Sequence, residues 1–238
     1  MHAPYGLNVV DNCAMCPRRE QHLFCNLSPR AVENLNEIKA TAIYPKGTML
    51  FLEGQQARGV FVLCSGKAKL STSSREGKTI ITKISEPGDI LGLNAVISRR
   101  PYEVTAEMTE PGQANFIPRD SFMRFLNDHV EAGCRVNEQL SRNYYTAYEE
   151  IRTLGLTLSP SEKFAKVLLS WSTKPAQNES SSQLKLTLTH EEIAETIGTT
   201  RETVSRLFSE YKKKKLLLVK GATLVICDRP ALERIVQV

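Results

Sequence analysis

Seven glycines, at positions 47, 54, 59, 66, 77, 88 and 92, cut residues 41 to 120 into short runs of alternating apolar and polar residues. Thr48-Met-Leu-Phe-Leu, Val60-Phe-Val-Leu-Cys, Lys67-Ala-Lys-Leu-Ser and Thr79-Ile-Ile-Thr-Lys-Ile are examples. A period of two sends successive side chains to opposite faces of a strand. Turn residues every eight to twelve positions or so are the mark of an all-β sandwich or roll. Arg75-Glu-Gly-Lys between two runs predicts a hairpin loop, with Gly77 supplying a positive φ.

From about Ser121 the period lengthens, and Val130, Gly133, Asn137, Leu140, Tyr144, Ala147, Ile151 and Leu154 fall on one 3-4-3-4 seam. The expectation is a long helix over 121–155 that pairs with a second copy as a parallel coiled coil, against the alternative of a helix packed on its own domain. Gly133 and Ala147 are small enough for close approach, and Asn137 at an a position can fix two-strand register. Gly155 and Ser159-Pro160-Ser161 mark a boundary, after which residues 161–172 read as helix and the stretch from Lys174 as a polar loop.

The chain has 238 residues, 41% hydrophobic and 24% charged, which excludes a disordered or collagen-like chain and permits two domains. No apolar run approaches the ~18 residues of a membrane span, so no membrane partner is expected. The N-terminus lacks the basic start and apolar core of a signal peptide, so the expected compartment is the cytoplasm, where the six cysteines should be thiols or ligands rather than disulfides. Residues 156–238 carry 13 Lys+Arg against 9 Asp+Glu, a net +4; the rest carries 18 against 17, a net +1. A basic C-terminal third on a near-neutral body suits a phosphate-binding module attached to a sensor.

Thr189-His-Glu-Glu192 and Thr199-Thr-Arg-Glu202 both read as capping boxes, each opening a helix. Gly198 turns the chain between them, which makes a helix-turn-helix whose second helix starts with Arg201, Glu202, Thr203, Ser205 and Arg206. A helix packed wholly as core has no use for that polarity. Leu216 to Val219 and Thr223 to Cys227, joined through Lys220-Gly221, read as a β-hairpin wing.

The stretch Leu188-Thr-His-Glu-Glu-Ile-Ala-Glu-Thr-Ile-Gly-Thr-Thr-Arg-Glu-Thr-Val-Ser-Arg-Leu resembles the CRP/FNR family of bacterial transcription regulators, and the likeness extends over nearly the whole chain. The resemblance implies an α+β protein: an N-terminal cysteine-containing segment (1–28), an effector-sensing β-roll of cyclic-nucleotide-binding, jelly-roll type (29–120), a dimerisation helix (121–155) and a winged helix-turn-helix (156–238). It also implies double-stranded DNA, a second copy and RNA polymerase as partners. Glu202, Ser205 and Arg206 match the E-x-x-S-R readers of the FNR branch, which favour a TTGAT-like half-site, whereas Arg201 is what the CRP branch carries. Independently of any family, Arg suits guanine O6 and N7 and Glu suits the cytosine amino group. Arg206 is therefore assigned to guanine, Glu202 to cytosine, and Ser205 to a neighbouring base. Thr189, His190, Thr199, Thr200 and Lys212 are candidates for phosphate contacts.

Cys13, Cys16 and Cys25 form a C-x2-C-x8-C cluster. It resembles the FNR-type arrangement, in which three N-terminal cysteines and one from the β-roll hold an oxygen-labile 4Fe–4S cluster. The fourth ligand there lies in the segment equivalent to Glu110–Ile117, which here has no cysteine. Cys64 and Cys134 remain as candidates, with Cys227 remote in the wing, and each of the three also reads as a small core residue. Zinc on Cys13, Cys16, Cys25 and His22, or metal-free thiols, are left open by spacing alone.

Gly92, Leu93 and Arg100 fall where the cyclic-AMP branch has its phosphate pocket. Leu93 stands in place of the glutamate and Pro101 in place of the serine, so a ribose hydroxyl loses its carboxylate and cyclic AMP is disfavoured. No Ser/His/Asp, HExxH, GxGxxG or P-loop pattern accompanies the four scattered His, so the chain is not read as an enzyme. The competing class, a β-roll sensor that acts through protein contacts, leaves the Arg201 to Arg206 surface unexplained.

Overall fold

A computed structural model describes residues 4–74, 76–77, 79–155, 159–171, 182–185, 188–220 and 223–236. The chain divides into two compact units, Met1–Ala147 and Tyr148–Val238. Among the described residues no helix is long and apolar enough to cross a membrane.

In the first unit, 3₁₀ turns at Cys13–Met15 and Arg19–Gln21 precede α1 (Pro29–Ile38). That helix starts where it does because Ser28 caps it, accepting from the Ala31 N–H, and Pro29 sits at a position whose N–H needs no partner. Eight strands follow among the described residues: β1 (Ala40–Tyr44), β2 (Met49–Phe51), β3 (Gly59–Leu63), β4 (Ala68–Ser73), β5 (Thr79–Ser85), β6 (Ile90–Leu91), β7 (Thr105–Met108) and β8 (Gly112–Pro118), with α2 (Leu93–Ser98) between β6 and β7. They form two antiparallel four-stranded sheets, ordered β1-β8-β3-β6 and β2-β7-β4-β5, the two-layered roll that the glycine spacing predicts. Gly77 has φ 81° between β4 and β5, as the hairpin requires; Arg75 and Lys78 lie outside the described residues. Gly59 serves a different need, since a Cβ there would stand 2.3 Å from the Ile117 carbonyl oxygen.

The core of this unit gathers Val60, Leu63, Met108 and Ile117 from the sheets with Phe24, Phe122 and Phe125 from the flanking segments, all buried. Phe24 meets Phe125 edge-on at 6.3 Å. Phe122 and Phe125 belong to α3 (Arg119–Asp128), which ends at His129; α4 (Val130–Gly155) then begins. The single helix expected over 121–155 is thus two. The physical reason is a change of buried face: α3 inserts its phenylalanines, whereas α4 turns Ala132, Val136 and Gln139 inward. His129 absorbs the change at φ −127° and ψ 87°, and its carbonyl accepts from the Ala132 N–H to start α4.

The second unit comprises α5 (Pro160–Trp171), β9 (Ser182–Lys185), α6 (His190–Ile197), α7 (Arg201–Lys213), β10 (Leu217–Lys220), β11 (Thr223–Ile226) and α8 (Arg229–Val236). The wing is a three-stranded sheet ordered β10-β11-β9, one strand more than the expected hairpin, because β9 adds to β11 from before the helix-turn-helix. Gly221, at the expected turn, and most of the polar stretch from Lys174 lie outside the described residues. Phe164 of α5 packs edge-on against Phe208 at 4.9 Å and beside Tyr211 at 5.3 Å; Ile193, Ile197, Val204 and Leu207 bury around them. The Tyr211 hydroxyl, inside this core, donates to the Ser161 carbonyl at 2.9 Å.

Candidate functional site

The start of α6 is a reciprocal cap: the Glu192 N–H donates to Thr189 Oγ1 at 3.2 Å, and the Thr189 N–H to the Glu192 carboxylate at 2.8 Å. The helix ends at Gly198, left-handed with φ 66°, and the Thr199 N–H folds back onto the Ala194 carbonyl. That bond assigns Thr199 to the turn. The cap of α7 is therefore Thr200, whose Oγ1 accepts from the Thr203 N–H at 3.3 Å, and the capping box expected for Thr199 and Glu202 does not form. Glu202 is left at the second helical position with its carboxylate exposed.

Along α7 the buried stripe is Val204, Leu207, Phe208 and Tyr211, while Arg201, Glu202, Arg206, Ser209, Lys212 and Lys213 are exposed. His190 joins the two helices. Its Nδ1 is 2.9 Å from Ser205 Oγ, and its ring stacks on Phe208 at 4.5 Å and 10°. Burial, then the charges of Arg201 and Lys212, hold the His190 pKa below its ordinary value. These contacts place Arg201, Ser205, Lys212 and His190 on one surface, with Thr189 and Thr200 exposed at the two caps and Thr199 half-buried. The tie between His190 and Ser205 has no counterpart in linear spacing; only the packing of α6 on α7 reveals it.

On α4 the seam residues separate. Val130, Asn137, Tyr144 and Ala147 are exposed, Val130 at 76% and Tyr144 at 75%, whereas Leu140 packs against the core of its own unit. Gly133 faces the Leu126 carbonyl of α3, 3.7 Å from where its Cβ would be. Tyr145 and Tyr148 broaden the exposed face, which the intramolecular face of Ala132, Val136 and Gln139 does not share. The side chain of Ile151 lies outside the described part of the chain.

Gly92, Leu93 and Arg100 have different surroundings. A Cβ on Gly92 would stand 2.6 Å from the Tyr102 ring, and Leu93 is buried in the core. Tyr102 itself is buried, stacked on Phe51 at 4.0 Å with its hydroxyl donating to the Gly59 carbonyl at 2.6 Å. Arg100 lines an open cleft of about 280 Å³ with Gln56, Ala57, Arg99, Pro101 and Arg119.

The cysteine segment is strapped to the roll. Gln113 of β8 exchanges two bonds with Val10, and the Asn115 amide reaches Cys13 Sγ at 3.8 Å. The Cys13 N–H donates to Asn36 of α1 at 2.9 Å. Burial foremost, then the neighbouring Cys64, Cys13 and Cys16, pushes the Cys25 thiol up to about 12. Cys64 is pushed up to about 12 by burial and by Cys13 and Cys16, with Lys39 opposing. Cys64 thus stands among the N-terminal thiols, while Cys134 is exposed on α4 and Cys227 belongs to the second unit. Among the described residues no three His, Cys, Asp or Glu side chains converge as tightly as the ligands of one metal ion.

Two family models match: the cyclic nucleotide-binding domain over residues 42–129 and the Crp-like helix-turn-helix domain over 162–235. The chain belongs to the CRP/FNR family. It is a DNA-binding transcription regulator with an effector-sensing domain, as the resemblance of its sequence implies. Among CRP/FNR relatives, it is 25% identical over 214 residues to the CRP-like cAMP-activated global transcriptional regulator of Mycobacterium tuberculosis, covering 89% of this chain and 95% of that one. It is 27% identical over 220 residues to the regulatory protein HlyX of Actinobacillus pleuropneumoniae, covering 90% of each. The structure of FixK2 from Bradyrhizobium japonicum superposes with a TM-score of 0.74 at 21% identity, over 83% of this chain and 97% of that one. Homodimers and palindromic sites are typical of the CRP/FNR family.

Proposed function

We propose that this regulator reads a TTGAT-like palindrome as a homodimer, with Arg206 on guanine, Glu202 on cytosine, Ser205 on a neighbouring base and Arg201 at the edge of the half-site. Thr189, His190, Thr199, Thr200 and Lys212 take the flanking phosphates. The observation that carries the reading is the division of α7 into a buried apolar stripe and an exposed face of Arg201, Glu202 and Arg206. Base edges in the major groove are met by such a face at the start of a recognition helix. The exposed stripe of Val130, Asn137, Tyr144 and Ala147 supports pairing through α4, and two-fold pairing sets the half-sites about one helical turn, ~34 Å, apart. RNA polymerase is the expected protein partner on DNA, and the chain carries no catalytic role.

The effector reading is an iron–sulfur cluster on Cys13, Cys16 and Cys25, which would supply oxygen- or redox-sensitive chemistry at the segment strapped to β8. Cyclic AMP is disfavoured, since Leu93 offers a ribose no carboxylate and Tyr102 occupies the space in front of Gly92. The DNA reading is tested by equilibrium binding of a fluorescent palindrome. At about 1–3 kcal/mol per base contact, and two half-sites per dimer, Arg206→Ala should cost ~2–6 kcal/mol, a loss of about 30-fold or more. Glu202→Ala should relax discrimination at the cytosine. Wild-type affinity and specificity in both variants would overturn the assignment.

A further inference from the structure

The pairing of β3 with β8 places a fourth thiol beside the N-terminal three. Val62 faces Asn115 and Leu63 faces Ala114, so Cys64 comes opposite Gln113, to whose carbonyl its N–H donates at 2.8 Å. Residues opposed across antiparallel strands share a face, as do residues two apart on one strand. Cys64, Gln113 and Asn115 therefore project on the same side, the side across which the N-terminal segment is tied. Gln113 holds Val10 there, Asn115 reaches Cys13 Sγ, and Lys39 Nζ holds the Asp11 carbonyl at 2.6 Å. Cys25 arrives from the other flank. Its N–H donates to the His22 carbonyl, the His22 ring lies against Gly88, and the Gly88 N–H donates to the Leu63 carbonyl at 2.7 Å. The turn carrying Cys25 thus abuts the end of β3 at which Cys64 stands.

We propose that Cys64 is the fourth ligand of a 4Fe–4S cluster held by Cys13, Cys16 and Cys25, so that the fourth thiolate comes from β3 and not from β8. The proposal rests on the iron–sulfur reading above. In such a cluster each thiolate binds a different iron, so the four sulfurs spread around a cube instead of converging on a point. Cys64 and Cys13, brought to one face of the β3–β8 pair, suit such a spread. Each thiol gives up its proton on binding iron. Asn115, at the β8 position facing Cys13, is left as a hydrogen-bond donor to the Cys13 sulfur.

The full chain is purified without oxygen, and iron, acid-labile sulfide and zinc are assayed beside the visible absorption spectrum. The wild type should carry about four iron and four sulfide per chain, as the cluster type demands. Cys64→Ala should lose iron and sulfide at least tenfold, and Cys64→Ser, closer in shape, should load but shed its cluster on gel filtration. Cys134→Ala should match the wild type. Circular dichroism of the metal-free proteins checks folding; should the alanine variant be unfolded, the serine variant decides. Full, stable loading with an unchanged spectrum in a folded Cys64 variant would overturn this inference and leave the iron–sulfur reading standing. A wild type holding zinc alone, or no metal, would overturn both.

Discussion

Replacing Gln139 with Leu should destabilise the first unit by about 1–5 kcal/mol. In the sheet ordered β1-β8-β3-β6, β6 is one of the two edge strands, and among the described residues no strand lies beyond the outward N–H and C=O of Ile90. Gln139 of α4 supplies both partners: its Oε1 accepts from the Ile90 N–H at 3.3 Å, and its Nε2 donates to the Ile90 carbonyl at 3.2 Å. Both residues are buried, Gln139 at 4% exposure and Ile90 at 3%, so water has little access to take over either bond. Leaving two buried backbone groups unpaired costs about 1–3 kcal/mol each, or ~2–6 together. Burying leucine in place of the amide recovers roughly 1 kcal/mol. Urea unfolding followed by circular dichroism gives the stability change, and amide exchange of Ile90 gives its location. Asn143→Ala is the contrast, since its Oδ1 only accepts from the Lys83 ammonium at 3.2 Å, which keeps Asp89 at 2.9 Å. A loss below about 0.5 kcal/mol in Gln139→Leu, with the Ile90 amide still protected, would refute the argument that α4 closes this edge.

Two further outcomes are expected. Tyr144→Glu puts a charge in the middle of the exposed α4 face and should raise the dimer dissociation constant at least tenfold, about 1.4 kcal/mol, in sedimentation equilibrium; an unchanged constant would remove α4 from the dimer interface. For His190, burial and the cations Arg201 and Lys212 lower the pKa from the ordinary 6.5, so the fold prefers the neutral ring. As pH falls below 6.5 the unfolded chain takes up its proton first, and stability present above that value is lost on the way down to the depressed one. His190→Gln should flatten this acid-side loss in unfolding curves read from Trp171, which reports the second unit. Parallel curves for variant and wild type would show that the ring does not titrate in that window.

The features legible in the sequence are those set within a few residues. The reciprocal cap at Thr189 and the left-handed Gly198 are local, and both stand where their spacing places them. Their neighbour shows the limit: the spacing to Glu202 favours Thr199 as the cap, and only the return bond from Thr199 to Ala194 decides for Thr200. Likewise one helix over 121–155 fits the period, with the 3-4 seam starting at Val130, yet the stripe of Phe122 and Phe125 differs from that of Ala132, Val136 and Gln139, so the helix breaks at His129. The exposed face of α7 depends on one helix's period and survives any change in what surrounds it. The thiol group depends on the register of two strands far apart in sequence. Sliding β3 by one residue against β8 would turn Cys64 to the opposite face and separate it from Cys13. For the same reason a lone cysteine on an apolar run reads as core until its partner strand is known. The DNA reading proposed for this chain thus rests on local periodicity, while the cluster proposed for its thiols rests on long-range pairing.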